Sequence, residues 1–139
     1  IAVLFIAITS TVNAHCQVPC GIYNDPMRIH MMEEHVTTIE KAMKQIAANE
    51  NQNQTVRWTM NKEKHADELT DIVTYYFMAQ RIKPDMDDYD DHLKTLHQIM
   101  IYSMKSKQTA DLANVEKLKE LIHSFEHTYL GEDHGHAHE

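Results

Sequence analysis

The residues of this sequence with the clearest chemical potential lie together at residues 15–23. Both cysteines of the chain, Cys16 and Cys20, are in this stretch, and His15 directly precedes the first of them. Thiolate sulfur and imidazole nitrogen are donors that bind borderline and soft transition metals. The spacing therefore predicts a compact transition-metal site, in a stretch that also holds Pro19 and Gly21.

The segment before this stretch adds a further donor. Residues 1–14 are uncharged and mostly apolar, and they end in Thr-Val-Asn-Ala, which resembles the cleavage site of a secretory signal peptide. Cleavage after Ala14 would make His15 the first residue, with a free α-amino group beside its imidazole. The apolar run is shorter than the roughly 20 residues that span a bilayer. We predict a removed leader and an exported protein, periplasmic or extracellular, with no membrane segment in its mature form; a buried N-terminal segment is the alternative.

The pattern His-Cys-x-x-Pro-Cys-Gly-x-Tyr at a processed N-terminus resembles the nickel hook of nickel-containing superoxide dismutases, with every fixed position present. The resemblance implies one nickel ion per subunit. It implies as ligands the α-amino nitrogen and imidazole of His15, the amide nitrogen and thiolate of Cys16, and the thiolate of Cys20. Tyr23 would border the substrate channel, so the implied catalytic residues are His15, Cys16, Cys20 and Tyr23.

The same resemblance implies a reaction, in which superoxide is converted to dioxygen and hydrogen peroxide through a Ni(II)/Ni(III) cycle. Anionic thiolate and amide donors push electron density onto nickel and stabilise its higher oxidation state. The resemblance also implies homohexameric assembly and a glutamate–arginine pair that holds the N-terminal imidazole. Glu33 and Glu34 are the candidates for that glutamate, and His65 falls where the arginine is expected.

Two other hypotheses fit the same residues. The chain can be an exported, non-catalytic helical bundle that binds or delivers nickel or copper. It can also be a structural helical domain with a Cys16–Cys20 disulfide, because two cysteines in an exported protein are typical of one. The first hypothesis predicts bound metal without superoxide consumption, and the second predicts indifference to nickel.

Length and charge limit the classes of function. A chain of 139 residues suits a single domain. With 21 acidic and 13 basic residues its net charge is −8, which gives no general attraction for nucleic acid or an anionic membrane surface. An anionic substrate such as superoxide would therefore need positive charge placed locally.

Four amphipathic helices are predicted downstream of residue 24, because apolar residues recur there at spacings of three and four. Asp25 and Pro26 suit the N-cap and first turn of the first helix. The second helix is predicted over residues 55–81, before Pro84, and the third begins among the acidic residues 85–91. The fourth follows a break at residues 107–110 and ends at Gly131, a predicted left-handed C-cap. The predicted core-facing residues are Ile29, Met32, Val36, Ile39, Met43 and Ile46; Trp58, His65, Leu69, Ile72, Val73, Tyr76 and Phe77; Tyr89, Leu93, Leu96, Met100 and Met104; and Val115, Leu118, Ile122, Phe125 and Tyr129.

Short connections between these helices favour antiparallel neighbours. We therefore predict an all-α fold, an antiparallel up-down-up-down four-helix bundle with an N-terminal metal-binding hook. The predicted layout is a leader at 1–14, the hook at 15–24, the bundle at 25–131 and a disordered His-rich tail at 132–139. The alternating histidines of the tail are either weak divalent-metal ligands or solvated residues without a role.

The remaining histidines carry weaker signals. His30 and His35 are five residues apart, a poor spacing for one helical face, and His92 and His97 repeat it. His123 and His127 are four apart and can share a metal on one helical face, but two histidines on an exposed helix surface are also common without one. The sequence predicts no second metal site from these pairs, and the methionines are predicted to fill the core.

Overall fold

The computed structural model describes residues 17–48 and 51–131, which form four helices and no strand. Helix α1 spans Asp25–Ala48, α2 spans Gln52–Asp71, α3 spans Tyr89–Gln108 and α4 spans Leu112–Leu130. Helix α2 continues directly into a π-helical segment, Ile72–Arg81. The prediction of an all-helical fold is confirmed for this part of the chain, whereas the predicted leader and tail lie outside the described residues.

The helix termini differ from the prediction in detail. Asn24, not Asp25, caps α1, because its Oδ1 accepts a hydrogen bond from the Met27 N–H at 3.1 Å. Asp25 is the first helical residue, and its carboxylate is bound by other helices. Helix α2 begins three residues before position 55, because Asn51 accepts from the Gln54 N–H at 2.9 Å. Gly131 ends α4 with φ +81°, so its φ is positive as predicted, but its ψ of 169° lies outside the left-handed helical region.

Contacts between helix ends show how the helices run. Asp25 at the start of α1 meets Arg81 at the end of the π-helical segment and Tyr129 near the end of α4. Lys62 of α2 donates to the carbonyl of Ser106 near the end of α3 at 2.6 Å, and Ala66, further along α2, accepts from Ser103, which is earlier in α3. Helix α1 is thus antiparallel to α2 and α4, and α2 is antiparallel to α3. We call the end that holds Asp25 the hook end and the other the opposite end.

The core lies along the axis of the four helices. Its centre is an edge-to-face pair of Phe77 and Phe125, with ring centroids 5.0 Å apart. Burying each such side chain contributes about 1.5–3 kcal/mol, which makes this pair a main source of stability. The predicted core faces of α1 and α4 are confirmed except at their ends, where Ile46 and Tyr129 are only half-buried. No helix among residues 17–48 and 51–131 has the length and apolar character required to cross a bilayer.

The predicted core face of α3 is confirmed only in part, because the helix is rotated from the predicted orientation and Tyr89, Leu93 and Met100 pack against the core while staying half-buried. Met104 is 47% exposed, and of the five predicted residues only Leu96 is fully buried. The buried face consists instead of His92, Leu96, Ile99, Ser103 and Ser106. The Ser103 hydroxyl is buried without penalty because it donates to the Ala66 carbonyl at 2.8 Å. Hydrophobicity alone therefore selected the methionines and missed the serines.

The predicted face of α2 also needs correction near the opposite end. Trp58 and His65 are half-buried, while Lys62 and Ala66 occupy the core positions. The Lys62 ammonium donates to the carbonyls of Ser106 and Lys107. These carbonyls lie in the last turn of α3, where the helix has no N–H group four residues further on to donate to them. A lysine is tolerated in the core here because it caps the C-terminus of α3.

Candidate metal centre

Cys20 lies in a closed turn that precedes α1. The Ile22 N–H donates to the Pro19 carbonyl at 3.1 Å, and Gly21 adopts φ +80°, a conformation that favours glycine. The Val18–Pro19 peptide bond is cis. Cys20 is a free thiol and is exposed. The turn therefore presents one sulfur donor to solvent on an ordered backbone.

Three residues of the π-helical segment contact this turn and the Tyr23 that follows it. The buried amide of Gln80 donates through Nε2 to the Val18 carbonyl at 3.3 Å. The Arg81 guanidinium lies over the ring of Tyr23, 4.4 Å from its centroid, at a distance typical of a cation–π contact. The ring of Tyr23 also meets Tyr76 edge to face at 5.9 Å and remains 39% exposed. The position of Cys20 and Tyr23 is consequently set by the π-helical segment.

Asp25 connects the same segment to α1 and α4. Its carboxylate accepts from Arg81 Nε at 2.9 and 3.0 Å and from Nη2 at 2.6 Å. It also accepts from the Tyr76 hydroxyl at 2.5 Å and the Tyr129 hydroxyl at 2.8 Å. The Tyr76 oxygen in turn accepts from the Asn24 N–H at 2.9 Å. We call Asp25, Tyr76, Arg81 and Tyr129 the Asp25 network.

The four ionisable side chains of the Asp25 network do not change protonation state near neutral pH. Burial alone would raise the pKa of Asp25, but hydrogen bonds from Arg81 and the two phenols lower it below its usual value. Pairing with Asp25 raises the pKa of Arg81 still further above its ordinary range. Burial, followed by the hydrogen bond to Asp25, raises the pKa of Tyr76 and of Tyr129 to about 12. The network thus contains one anion, one cation and two protonated phenols.

Arg28 provides a second positive charge beside the hook. It lines a cavity of about 240 Å³, and its guanidinium lies 5.1 Å from the centroid of the Tyr76 ring. The Nε of Arg28 is buried without a hydrogen-bond partner among the described residues. The cavity is lined by Gln17, Val18, Pro19, Arg28, Asp71, Ile72, Tyr75 and Tyr76. Asp25 pairs with Arg81, whereas Arg28 forms no ion pair among the described residues, Asp71 being a second charged residue of the same cavity; Arg28 is therefore the clearer source of local positive charge.

The structure brings together only part of the predicted site. Cys20 and Tyr23 both lie at the hook end, whereas His15 and Cys16 lie outside the described residues. Their roles as ligands stay predictions.

The residues considered for the glutamate–arginine pair lie further along α1 and α2. Glu33 and Glu34 face His30, with contacts of 3.6 and 3.5 Å. His65 lies beside His35, with their Nδ1 atoms 2.8 Å apart. Burial and the neighbouring ring of His65 lower the pKa of His35.

Sequence reasoning missed the role of Asp25 as the acceptor that joins three elements. Its partners Tyr76 and Tyr129 are 51 and 104 residues away, so no local spacing pattern connects them. One signal was available, because a buried tyrosine hydroxyl usually requires a hydrogen-bond partner. Both tyrosines were assigned to the core for their rings alone.

Comparisons with known proteins agree with one another. The family model for nickel-containing superoxide dismutase matches residues 10–133. A Superoxide dismutase [Ni] from Streptomyces coelicolor is 29% identical over 100 residues, which cover 72% of this chain and 70% of that protein. A crystal structure of a tyrosine-to-phenylalanine mutant of NiSOD has a TM-score of 0.69 at 17% identity, covering 84% of this chain and 96% of its own. At that identity the structural likeness shows the fold.

Proposed function

The chain belongs to the nickel-containing superoxide dismutase family, and we propose that His15, Cys16 and Cys20 bind the nickel ion of this enzyme. The enzyme converts two superoxide anions and two protons into one dioxygen and one hydrogen peroxide. Bound nickel supplies the Ni(II)/Ni(III) couple that this electron exchange requires. The proposed donors are the α-amino nitrogen and imidazole of His15, the amide nitrogen and thiolate of Cys16, and the thiolate of Cys20.

The described part of the site fits this donor set. A cysteine ligand must be a thiolate and cannot be engaged in a disulfide, and Cys20 is free and exposed. Its turn is closed by its own backbone hydrogen bond and is attached to the π-helical segment through Gln80. This pre-positioned free thiol is the observation that supports Cys20 as a ligand.

Residues of the chain also account for access of an anion. The net charge of −8 repels superoxide from the protein as a whole. Arg28, in the cavity beside residues 17–19, provides a local attraction. Tyr23, held by Arg81 and Tyr76, keeps part of its ring exposed at the same end of the bundle. We assign Tyr23 to the border of the substrate channel, where its hydroxyl can donate a hydrogen bond to superoxide.

Maturation and assembly belong to the same proposal. Residues 1–14 act as a secretory leader that is cut after Ala14, which frees the amine of His15 and places the protein in the periplasm or outside the cell. The mature subunits form a homohexamer. Large apolar side chains at the hook end support a subunit contact there, since Val18 and Ile22 are both 81% exposed and Met27 is 46% exposed.

Replacing Cys20 by Ser tests the ligand assignment. We expect nickel content and superoxide decay to be lost together while helical content is unchanged, because Cys20 is exposed and lies outside the helices. Metal analysis, stopped-flow superoxide decay and mass spectrometry of the mature N-terminus provide the measurements. Ala110→Ser, exposed in the connection at the opposite end, is the matched control and keeps full activity. Retained activity in Cys20→Ser, or a mature N-terminus other than His15, would overturn the ligand set.

The non-catalytic metal-delivery hypothesis is not favoured, because the family to which the chain belongs is a family of enzymes. The same experiment separates the two, since a delivery protein would bind nickel without consuming superoxide. The disulfide hypothesis predicts that thiol-specific reagents find no free cysteine in the mature protein. Two reactive thiols in the nickel-free protein would exclude it.

A further inference from the structure

A second cluster of metal-ligating side chains lies between α1 and α2, away from the turn of Cys20. It consists of His35 on α1 and of His65 and Glu68 on α2. The two Nδ1 atoms are 2.8 Å apart, and Glu68 Oε2 lies 3.7 Å from that of His35 and 3.5 Å from that of His65. Three possible metal-ligand atoms from three side chains therefore lie within 3.7 Å of one another.

The size of this triangle matches a metal coordination sphere. A point equidistant from three atoms with these separations lies about 2.0 Å from each of them. Zinc binds histidine nitrogen at about 2.0–2.1 Å and carboxylate oxygen at about 2.0–2.2 Å. An ion slightly out of the plane of the three atoms would thus meet all three at ordinary bond lengths, with a fourth position left open.

The surroundings suit a bound ion. The side chains of His35, His65 and Glu68 are 14, 23 and 38% exposed, so the donors are partly shielded from solvent. His35 and His65 line a groove of about 750 Å³, which gives an ion and a water ligand access. Lys64 lies 3.5 Å from Glu68 Oε1, the carboxylate oxygen that does not face the imidazoles. That contact orients the carboxylate with Oε2 towards the two histidines.

A hydrogen bond between the imidazoles accounts for only part of the cluster. One proton can join the two Nδ1 atoms, but it leaves Glu68 Oε2 beyond hydrogen-bond distance of both. A divalent cation would satisfy all three donors together. Two imidazoles and one carboxylate with an open position are also a donor set typical of zinc. We infer that His35, His65 and Glu68 form a second metal site, separate from the nickel hook, that binds a divalent cation of the zinc type.

Zinc titration of the nickel-loaded protein tests this inference. His134, His136 and His138 of the tail are replaced by Ala in every sample, which removes a competing set of ligands. We expect one zinc ion per chain beyond nickel, measured by calorimetry. Loss of a residue that only hydrogen-bonds a metal ligand typically lowers metal affinity at least tenfold. Loss of a ligand itself should have at least that effect, so His35→Gln, His65→Gln and Glu68→Gln should each lower the affinity for zinc about tenfold or more. His97→Gln, at an exposed histidine of α3, is the matched control and binds zinc unchanged.

Cobalt(II) gives an independent readout, because its visible absorption reports the low coordination number of a three-ligand site. Glu68→Gln keeps the test valid if a histidine variant fails to fold, since Glu68 is the most exposed of the three. Absence of zinc binding beyond nickel, or equal binding by Glu68→Gln and the control, would overturn the inference. Loss of nickel from Glu68→Gln would also overturn it, because the cluster would then belong to the nickel site.

Discussion

Replacing Asp25 by Asn should weaken the hook end of the bundle more than any other isosteric change there. Asn keeps the size of the side chain but removes the charge that Arg81, Tyr76 and Tyr129 all face. It also introduces an amide NH₂ group where donors from three side chains already converge. The change therefore removes charge-assisted hydrogen bonds and adds a donor without an acceptor.

The magnitude follows from the burial of the two charged partners. A hydrogen bond to a charged group contributes about 1.5–3 kcal/mol. The side chain of Asp25 is 13% exposed and that of Arg81 is 30% exposed, so solvent weakens part of the electrostatic interaction between them. When the carboxylate is removed, the Arg81 guanidinium can hydrogen-bond to water instead. We expect the free energy of unfolding to fall by about 2–3 kcal/mol at pH 7. For a domain of this size that corresponds to a decrease of about 8–12 °C in Tm.

The pH dependence provides a sharper test than the magnitude. Because the pKa of Asp25 is lowered in the folded state, its stabilisation is fully present above the unfolded-state pKa of about 3.9 and is lost as pH falls through the folded value. The stability gap between wild type and Asp25→Asn should therefore be constant from neutral pH to about pH 5 and should close below about pH 4.

The phenols give a second readout at high pH. Of the six tyrosines, Tyr76 and Tyr129 have pKa values of about 12. Their raised pKa contributes stability that is fully present below about pH 10 and is lost as pH rises towards 12. Removing the negative charge of Asp25 should shift both phenols downward in a spectrophotometric titration, although burial still keeps them above their usual value.

Urea unfolding followed by circular dichroism, repeated across pH, measures the stability gap. Asp85→Asn is the matched control, because Asp85 is exposed outside the helices, and it should change stability by no more than about 0.5 kcal/mol. An Asp25→Asn effect as small as that of the control would refute the reasoning. So would a gap that persists unchanged at pH 3, because it would originate from something other than the carboxylate charge.

Two further substitutions test basic residues for which the sequence alone predicted no role. Arg28→Gln should lower kcat/KM for superoxide several-fold at low ionic strength and flatten its dependence on salt, whereas Arg57→Gln at the opposite end should change neither. Equal salt profiles for the two variants would exclude Arg28 as the local charge. Lys62→Met should lower the free energy of unfolding by about 1–3 kcal/mol, because two carbonyls at the end of α3 lose their donor. Lys64→Met, exposed on α2, is its control, and equal effects in chemical denaturation would contradict the capping role.

The parts of the fold that follow from local patterns could be predicted from the sequence. Spacings of three and four identified all four helices, and the predicted end of the second at position 81 is confirmed. Helix starts were less accurate because several residues can cap. Asn24 and Asp25 both suit an N-cap, and which one acts depends on Arg81, a residue 56 positions away. A residue's local preference cannot report a partner from another helix.

The same limit explains the errors within the core. Ser103 and Lys62 are polar, so their burial depends on partners from a neighbouring helix, namely the Ala66 carbonyl and the end of α3. Likewise, the pair of His35 and His65 lies across two helices and has no spacing signature. In contrast, Cys20 and Tyr23 belong to a contiguous nine-residue pattern, and such a pattern is visible without any knowledge of the fold.

The π-helical segment explains how one stretch can serve both the hook and the Asp25 network. Residues five apart on an α-helix are separated by about 140° around the axis, too far to share a partner. Hydrogen bonds from residue i+5 to residue i, such as that from the Ile82 N–H to the Phe77 carbonyl at 2.9 Å, widen the turn and bring such residues closer to one face. Tyr76 and Arg81 are five apart and both reach Asp25. Because Arg81 also covers Tyr23, the widened turn connects the start of α1 to the residue that we propose borders the substrate channel.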